Sequence, residues 1–483
     1  MKKSTKLIIA LAVLVAVVIG TVVGVRKYQE YYERTFIVID EVEYRRDVTD
    51  VDLTGTRIGE FEKLLELTQL QTLNLTGTAI TMEQYNTLQS ALPNCAITWD
   101  VPFQGGTVSN TVTQLELSKL SREDLKILPY FPGLTAMNLD RCDNYPVIVE
   151  LMETYPQLDV SYTVTVDGTN YRRDAQELNV SDPADINEMM DLLVYLPQVT
   201  TVNLTGQLPA NEELLKLQQA YPDITFVFDF EIFGITVNTL DEFIDLSGIK
   251  MTSAEEIDAI MPHFYNLTQI DMVNCGLKNK EMEALNRRYP NTKIVWSVYV
   301  CGIYLRTDAK HFMPYQYRCG DVSSAACYNL RYCTDMLVID LGHYGTSNVD
   351  FVEQMPNLKC LLICDAYVSD LTGIGNCPSL EYIELQTTQV FDFWPLTNLT
   401  NLKDLNLAQV PWADITPLTQ MKWLDRLWFP HNDLGLEGRN TLREALPNTM
   451  VIFFSTGHTT SGFRFTPNYY YQRDILGMGY KTN

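Results

Sequence analysis

Apolar residues recur every 22 residues in the last third of the chain. From Met336 the template places apolar side chains at offsets 0, 3 and 5, and later copies start at Leu358, Leu380, Leu402 and Leu424. Side chains of a strand alternate between its two faces, so offsets 3 and 5 mark the buried face of a short strand. Offsets 2, 4 and 6 then form the opposite side of the sheet, which we call the outward face.

A period of 22 residues is typical of leucine-rich repeats, and residues 336–455 are therefore predicted to form five of them. Asp370, Asp392 and Asp414 recur at the same spacing, with Asn348 in the same register. A short carboxylate or amide before a Pro-containing turn suits a helix N-cap, so we interpret these residues as structural caps and not as metal ligands.

With its Asp414-Ile-Thr-Pro-Leu stretch, the array resembles the 22-residue repeats of bacterial surface proteins such as the internalins. The resemblance covers about 120 residues. It implies the fold and leaves the ligand open.

The first half uses the same template in pairs, separated by a second recurring element. The paired repeats start at Val48 and Leu70, Val112 and Leu134, Ala175 and Val199, and Asp241 and Leu267. After each pair, a glycine follows a proline by twelve residues, at Gly105, Gly168, Gly234 and Gly302. A turn that needs positive φ between two β runs predicts a hairpin there, so residues 35–305 should form four composite modules of two repeats and one β-hairpin.

The tetrapeptide Tyr44-Arg-Arg-Asp47 returns as Tyr171-Arg-Arg-Asp174, which indicates duplication of one module. Modules of this kind resemble those in leucine-rich-repeat proteins of gut Clostridia and related Firmicutes, and the ending from Pro467 to Tyr480 is similar to theirs. The resemblance implies an architecture without an assigned activity. Residues 306–335 are the least regular stretch, and we expect a degraded repeat there.

The predicted fold class is thus α/β: a leucine-rich-repeat solenoid with parallel strands on the concave side, helices and turns on the convex side, and inserted β-hairpins. One N-terminal transmembrane helix is expected in addition, because residues 7–25 form an apolar run between basic flanks. Residues 1–6 would be a cytoplasmic stub and residues 26–34 a juxtamembrane segment. A cleaved signal peptide is the alternative, but the apolar run is long and runs straight into Arg26 and Lys27.

The basic residues before the apolar run slightly outnumber those after it, so the amino terminus should stay in the cytoplasm and the repeats outside the cell membrane. Formal net charge is −24 for the chain. The part beyond residue 34 holds 30 basic and 58 acidic residues, or −28, which disfavours nucleic acid as a partner. A protein, peptide or glycan ligand remains open.

No pattern of catalytic or metal-binding residues is visible in the sequence. The five histidines fit no metalloprotease motif, and no nucleophile elbow, phosphate-binding glycine loop or dinucleotide fingerprint occurs. We expect no enzyme, cofactor or metal. The ten cysteines are interpreted as buried packing thiols, and Cys360 and Cys364 lie too far apart along one strand to pair with each other.

The outward face carries a polar pattern at offset 4, where eleven of thirteen residues are Asp, Asn or Glu. The structural interpretation is that this type of repeat favours such residues at offset 4. The functional interpretation is that they were selected to form a ligand-binding surface. Toward the carboxy end, aromatic and hydrogen-bonding residues mix on adjacent strands, as in protein and glycan contact patches. The candidate partner-binding residues, expected to be exposed, are Tyr382, Glu384, Asp404, Asn406, Arg426 and Trp428.

The final residues 456–483 are rich in aromatic side chains: Phe463, Phe465, Tyr469, Tyr470, Tyr471 and Tyr480. A sticky surface is one interpretation. A cap over the open end of the solenoid is favoured, because terminal repeats must cover the last apolar layer.

Three hypotheses for function follow. The first is a membrane-anchored surface protein that binds a protein or glycan through its curved sheet. The second is an envelope scaffold that acts on other membrane proteins through its helix and hairpins, and the third and weakest is a hydrolase.

Overall fold

The computed structural model describes residues 2–181, 183, 186–459 and 462–478. The chain forms two compact units, residues 1–226 and 227–483, and each is described by itself. Both are built from short parallel strands that alternate with short helices or turns, which confirms the predicted leucine-rich-repeat solenoid.

In the first unit, three parallel groups of strands alternate with antiparallel hairpins. The hairpins are β1–β2, β10–β11 and the pairing of β5 with β6, and the parallel groups are β3–β4–β5, β7–β8–β9 and β12–β13–β14. The strands are β1 Phe36–Ile39, β2 Val42–Arg45, β3 Asp50–Asp52, β4 Thr72–Leu75, β5 Ala96–Phe103, β6 Gly106–Ser109, β7 Gln114–Glu116, β8 Ala136–Asn138, β9 Asp159–Ser161, β10 Thr163–Val166, β11 Thr169–Arg172, β12 Glu177–Ser181, β13 Thr201–Thr205 and β14 Thr225–Val227.

The second unit continues with two further hairpins, β15–β16 and β20–β21, around the parallel group β17–β18–β19. A seven-stranded parallel sheet, β22 to β28, then follows without interruption. The strands are β15 Asp229–Ile232, β16 Ile235–Asn238, β17 Phe243–Asp245, β18 Gln269–Asp271, β19 Lys293–Val295, β20 Ser297–Val300, β21 Ile303–Arg306, β22 His311–Phe312, β23 Val338–Asp340, β24 Cys360–Leu362, β25 Tyr382–Glu384, β26 Asp404–Asn406, β27 Arg426–Trp428 and β28 Met450–Ile452.

Helices follow most of the repeat strands. The α-helices are α1 Lys2–Thr35, α2 Phe61–Leu64, α3 Met82–Ala91, α4 Arg122–Leu125, α5 Tyr145–Thr154, α6 Ile186–Leu193, α7 Asn211–Ala220, α8 Glu255–Ile260, α9 Asn279–Arg288, α10 Pro314–Tyr317, α11 Ser324–Cys327, α12 Thr372–Gly375, α13 Thr416–Gln420, α14 Leu436–Ala445 and α15 Pro467–Ile475. Short 3₁₀ helices are Leu128–Tyr130, Met261–His263, Tyr328–Tyr332, Asp350–Gln354 and Trp394–Asn398.

The strands of the seven-stranded sheet align in the predicted register. Ile339, Leu361, Ile383, Leu405 and Leu427 stand opposite one another as one column of offset 3. All five are 0% exposed. Each strand is only two or three residues long, so the apolar column between neighbouring repeats supplies the core that no single repeat could form.

The predicted hairpins are present, and a further one precedes the first repeat. Gly105, Gly168, Gly234 and Gly302 occupy the turns with positive φ, each after another residue of positive φ. Two consecutive residues of positive φ define the tight type I′ turn, which glycine favours. The additional hairpin, β1–β2, turns at Asp40 and Glu41 without glycine, and this is why the glycine spacing missed it.

The recurring aspartates were predicted to be N-caps, but Asp370 and Asp414 lie one residue before the N-cap positions, which Leu371 and Ile415 occupy, and so belong to the preceding turns. Asp370 and Asp414 each accept hydrogen bonds at 2.8 Å from the backbone amides of Thr372 and Thr416, at the start of α12 and α13. The hydroxyls of these threonines donate to the same carboxylates and, with the amides, hold the pKa of both aspartates below the ordinary value. They therefore fix the turns that precede α12 and α13.

Helix α1 is the one helix among the described residues that is long and apolar enough to cross a membrane. The span runs from Lys6 to Thr35 with a mean hydropathy of 3.0 in its most apolar stretch, and none of that stretch is buried in the protein. Length and composition give this result, and a signal sequence satisfies the same criteria.

Candidate functional site

The six candidate residues come together on three neighbouring strands. Tyr382, Asp404 and Arg426 stand opposite one another in the register, and Glu384, Asn406 and Trp428 form the parallel column beside them. All six belong to the outward face, because offset 3, the column between them, is the buried one. The repeat pattern therefore placed them correctly relative to one another.

The expectation that these side chains are exposed is wrong. Tyr382, Glu384 and Asn406 are 0% exposed, and Asp404 and Trp428 are 3% and 1% exposed. Only Arg426 keeps contact with solvent. The cause is the C-terminal segment, whose described residues 453–459 and 462–478 lie across the outward face of strands β23 to β27.

An ion pair between the face and the segment is the strongest polar contact. Arg464 donates through Nε to Glu384 Oε1 at 2.9 Å and through Nη2 to Oε2 at 2.5 Å, a bidentate geometry. The same carboxylate accepts from the Tyr382 hydroxyl at 2.5 Å and from Gln386 Nε2 at 2.8 Å. Burial, and next the charge of Glu384, raise the pKa of Tyr382, so its hydroxyl stays a donor. A fully buried carboxylate needs such a set of donors, because ionisation in a dry site is costly without them.

Aromatic rings seal the contact around this ion pair. Phe463 is 0% exposed, and its ring lies 5.3 Å from that of Tyr382 and 5.5 Å from that of Trp428 between centroids. Tyr469 approaches Tyr382 from the other side at 6.3 Å. The rings exclude water from the Glu384 carboxylate, which strengthens the ion pair within.

Further hydrogen bonds tie the segment to each neighbouring strand. Asn468 donates to Asp404 at 3.0 Å, Asn406 donates to the carbonyl of His458 at 3.0 Å, and Arg426 donates to the carbonyl of Gly462 at 2.9 Å. Burial raises the pKa of Asp404 despite the bond from Asn468. The outward face therefore contacts both side chains and backbone carbonyls of the C-terminal segment.

Helix α15 covers the part of the outward face that is nearest to the first strands of the seven-stranded sheet. Thr466 caps it by accepting from the amide of Tyr469 at 3.1 Å, and at the other end Gln316 donates to the carbonyl of Leu476 at 2.6 Å. The aromatic C-terminal residues were expected to cap the open end of the solenoid. Phe463, Tyr469 and Tyr471 instead pack against the outward face, because its apolar side chains Cys360, Leu362 and Trp428 also need cover. Tyr480 lies outside the described residues.

In the first unit the outward face is open. Asp52, Glu116, Asn138 and Asn179 are exposed, and Asn74 is partly exposed. Several of these side chains act locally, since Asp52, Asn74 and Asn138 each accept from the backbone amide two residues later, where the strand ends. Asp245, Asp271, Asp340 and Asn406 do the same in the second unit. The structural interpretation, in which this type of repeat favours such residues, thus accounts for much of the polar pattern at offset 4.

Asp340 lines a cavity of about 200 Å³ between the sheet and α15. Burial raises its pKa to about 6; the amide of Gly342 opposes this shift and the charge of Glu384 adds to it. Arg464 and Gln472 line the same cavity, and the side-chain oxygen of Gln472 has no hydrogen-bond partner. A carboxylate that titrates near neutral pH therefore sits beneath the C-terminal segment.

The cysteines on the outward face are buried by the same segment. Cys360 and Cys364 are 1% and 3% exposed, and Cys360 contacts the carbonyl of Asn468 through its sulfur at 3.8 Å. Among the described residues, no group of three or more His, Cys, Asp or Glu side chains is arranged to hold a metal ion.

The sequence predicted the outward face of the C-terminal repeats but not the C-terminal segment that covers it. The decisive partners Arg464 and Asn468 lie 80 and 64 residues after Glu384 and Asp404. The available signal was the accumulation of aromatic residues together with Arg464 and Arg473 after an acidic array. That composition does not say which surface the segment covers.

Comparisons with known proteins return solved structures of low similarity. No protein-family model and no curated protein matches the sequence. Similar solved structures include an internalin of Listeria monocytogenes, 15% identical over 86% of this chain and 85% of that one with a TM-score of 0.25. A leucine-rich-repeat protein of Leptospira interrogans is 16% identical over 84% of this chain and 90% of that one, with a TM-score of 0.24. Internalin C2 of Listeria monocytogenes is 18% identical over 27% of this chain and 69% of that one, with a TM-score of 0.22. Such values carry no argument about function.

The raised pKa of Asp340 predicts that Asp340→Asn increases the free energy of unfolding by an amount that depends on pH. Because the folded pKa, about 6, exceeds the ordinary 3.8, the carboxyl favours the fold below about pH 4, and this contribution is lost as the pH rises through 6. We expect Asp340→Asn to raise the free energy of unfolding by about 2 kcal/mol at pH 7.5 and hardly at pH 4. Urea denaturation at both pH values measures this. The exposed Asp425→Asn is the control, and an equal gain at pH 4 would contradict the assignment.

The ion pair between Glu384 and Arg464 predicts a strong double-mutant coupling. Arg464→Met leaves a buried carboxylate without its cation and should cost about 3 kcal/mol, whereas adding Glu384→Gln should recover part of that loss. Urea denaturation gives the energies, and limited proteolysis after residue 453 reports release of the segment. Arg122→Met breaks an exposed pair with Glu150 and should cost less than about 1 kcal/mol. Additive effects at 384 and 464 would refute the coupling.

Proposed function

We propose that this protein is a membrane-anchored, extracytoplasmic recognition protein that binds a peptide segment of a partner protein. The proposed site is the outward face of the C-terminal repeats, formed by Tyr382, Glu384, Asp404, Asn406, Arg426 and Trp428. Binding is reversible contact, and no bond is made or broken.

The observation that carries the proposal is the way this face holds the chain's own C-terminal segment. Arg464 forms an ion pair with the buried carboxylate of Glu384, and Phe463 packs against the rings of Tyr382 and Trp428. Side chains of the neighbouring strands donate to the backbone carbonyls of Gly462 and His458. Aromatic and arginine anchors in a dry centre are the usual energetic hot spots of protein interfaces. The ligand chemistry that fits is therefore a peptide with a Phe-Arg pair.

A peptide is favoured over a glycan as the ligand. The central acceptor, Glu384, is fully buried and needs a cation, which neutral sugars lack. The acidic balance of the chain, −24, supports a basic partner in the same way.

The membrane part of the proposal is supported by helix α1. Its apolar side chains are exposed, for example Leu7 at 72% and Leu14 at 62%, so they need a lipid or protein environment. Lys6 precedes the run and Arg26 follows it, as expected for a segment held between two aqueous sides.

A peptide competition experiment tests the proposed site. The full chain in detergent is compared with a Phe463→Ala/Arg464→Ala variant, and the probe is a fluorescent peptide with the sequence of residues 462–477. The variant frees the face, so we expect it to bind the peptide at least about tenfold more tightly than the unchanged chain, in which the tethered segment competes. Fluorescence anisotropy measures the Kd.

Two controls separate the site from general stickiness. Phe465→Ala removes a phenylalanine that is 56% exposed and should leave weak peptide binding unchanged. Adding Glu384→Gln to the double variant should abolish the gain. A double variant that releases its segment to protease yet binds no peptide would disprove the proposed function.

Membrane attachment has its own test in a bacterial host that produces the full chain. We expect the protein to stay with the membrane pellet after a carbonate wash, and protease added to spheroplasts to degrade the repeats. A soluble chain whose mature amino terminus lies beyond residue 25 would show a cleaved signal peptide instead. Repeats that resist protease until the cells are lysed would place them in the cytoplasm.

A further inference from the structure

Two buried thiols meet between the last hairpin, β20–β21, and helix α11. The Sγ atoms of Cys301 and Cys327 lie 3.3 Å apart, and the residues are 2% and 0% exposed. Cys301 occupies the β20–β21 turn, and Cys327 is the last residue of α11. The two thiols share a hydrogen bond and already point at each other.

The backbone holds the two cysteines together independently of their sulfur atoms. The amide of Cys301 donates to the carbonyl of Ala326 at 3.1 Å, so the turn is attached next to Cys327. Gly302, the second turn residue, has φ of 91° and allows the tight reversal that presents Cys301. Only a small movement of the sulfur atoms separates this contact from a bond.

Other described thiols have different neighbours. Cys142 contacts the carbonyl of Leu117 at 3.3 Å, and Cys377 contacts that of Met355 at 3.5 Å. Within the described part of the chain, Cys301 and Cys327 are the two cysteines that meet through their sulfur atoms. The juxtaposition is therefore specific and does not follow from a general excess of buried cysteine.

We propose that Cys301 and Cys327 form a disulfide bond that ties the fourth module to the irregular stretch of residues 306–335 that follows it. Two S–H bonds are broken and one S–S bond forms, releasing two protons and two electrons. A disulfide oxidant, such as oxidised glutathione or a thiol–disulfide oxidoreductase, accepts the electrons and becomes two thiols. The closed loop spans residues 301–327, and closing it stabilises the fold by restricting the unfolded chain.

The local environment favours oxidation during folding and slows it afterwards. The shared hydrogen bond with Cys327, and next burial, raise the pKa of Cys301, and little attacking thiolate is present in the finished fold. Cys319 is more exposed and lies on the same 26-residue stretch between the two partners. It is the thiol that would form a competing bond if the pairing were unspecific.

The disulfide depends on the proposed extracytoplasmic placement for its occurrence in cells, since cytosolic thiols stay reduced. The pairing of Cys301 with Cys327 and the extracytoplasmic placement of the repeats are therefore tested in separate experiments. The purified full chain is unfolded and reduced in denaturant, then refolded into detergent in a buffer of reduced and oxidised glutathione. Free thiols are blocked and the peptides are mapped by mass spectrometry. Separately, thiols are blocked in intact cells before lysis.

We expect a linked peptide containing Cys301 and Cys327 in the glutathione buffer, and a Tm about 5 °C above that of the reduced chain. Cys327→Ser should remove both effects. Cys377→Ser, which alters another buried thiol, should keep the linked peptide and the gain in Tm. The proposal is overturned if Cys301 and Cys327 are both recovered blocked from folded, glutathione-treated protein, or if either is linked to Cys319. A link that forms in the purified chain but not in cells upholds the pairing and counts against extracytoplasmic placement alone.

Discussion

Each repeat of this chain can bury only one side of a two- to five-residue strand, so neighbouring repeats must stack in register before that side leaves water. Ile383 has no core of its own; it is buried because Leu361 and Leu405 stand beside it. This dependence on neighbours makes the apolar column the constraint from which the rest follows. It fixes the strand register, and the register in turn lines up the outward side chains as columns.

The same alignment creates a difficulty on the outward face of the second unit. Offsets that carry polar residues in the first unit carry Cys360, Leu362 and Trp428 there, and an apolar sheet face cannot remain in water without cost. The C-terminal segment covers it, and Phe463 is buried as fully as any residue of the repeat core. Glu384 is 0% exposed beneath this cover and accepts hydrogen bonds from Arg464, Tyr382 and Gln386.

The cover also defines what the face is chemically able to hold. The outward face binds an arginine, a phenylalanine and two backbone carbonyls of its own chain, and these contacts are the basis of the proposed peptide site. A tethered ligand has a high effective concentration, and an outside peptide must outcompete it or meet a chain in which it has been released. Asp340, below α15, adds a group whose charge changes near pH 6 at the same contact. The open outward face of the first unit lacks such a built arrangement, since Asp52 and Asn138 mainly close their own strand ends.

The sequence by itself determined the repeats, because their physics is local and periodic: Leu361 and Leu405 had to be buried, and Gly105 and Gly302 had to turn. It even contained the sign of the hairpin β1–β2, since Tyr44-Arg-Arg-Asp47 and Tyr171-Arg-Arg-Asp174 both end a second hairpin strand, with Arg45 and Arg172 paired to Asp47 and Asp174. Tertiary structure alone decided that Trp428 and Glu384 are buried and that Cys301 meets Cys327. These contacts join residues that are 26 to 80 positions apart and do not follow the period of the repeats. Neither the period nor the composition of the sequence specifies which surface a non-repeating segment will cover.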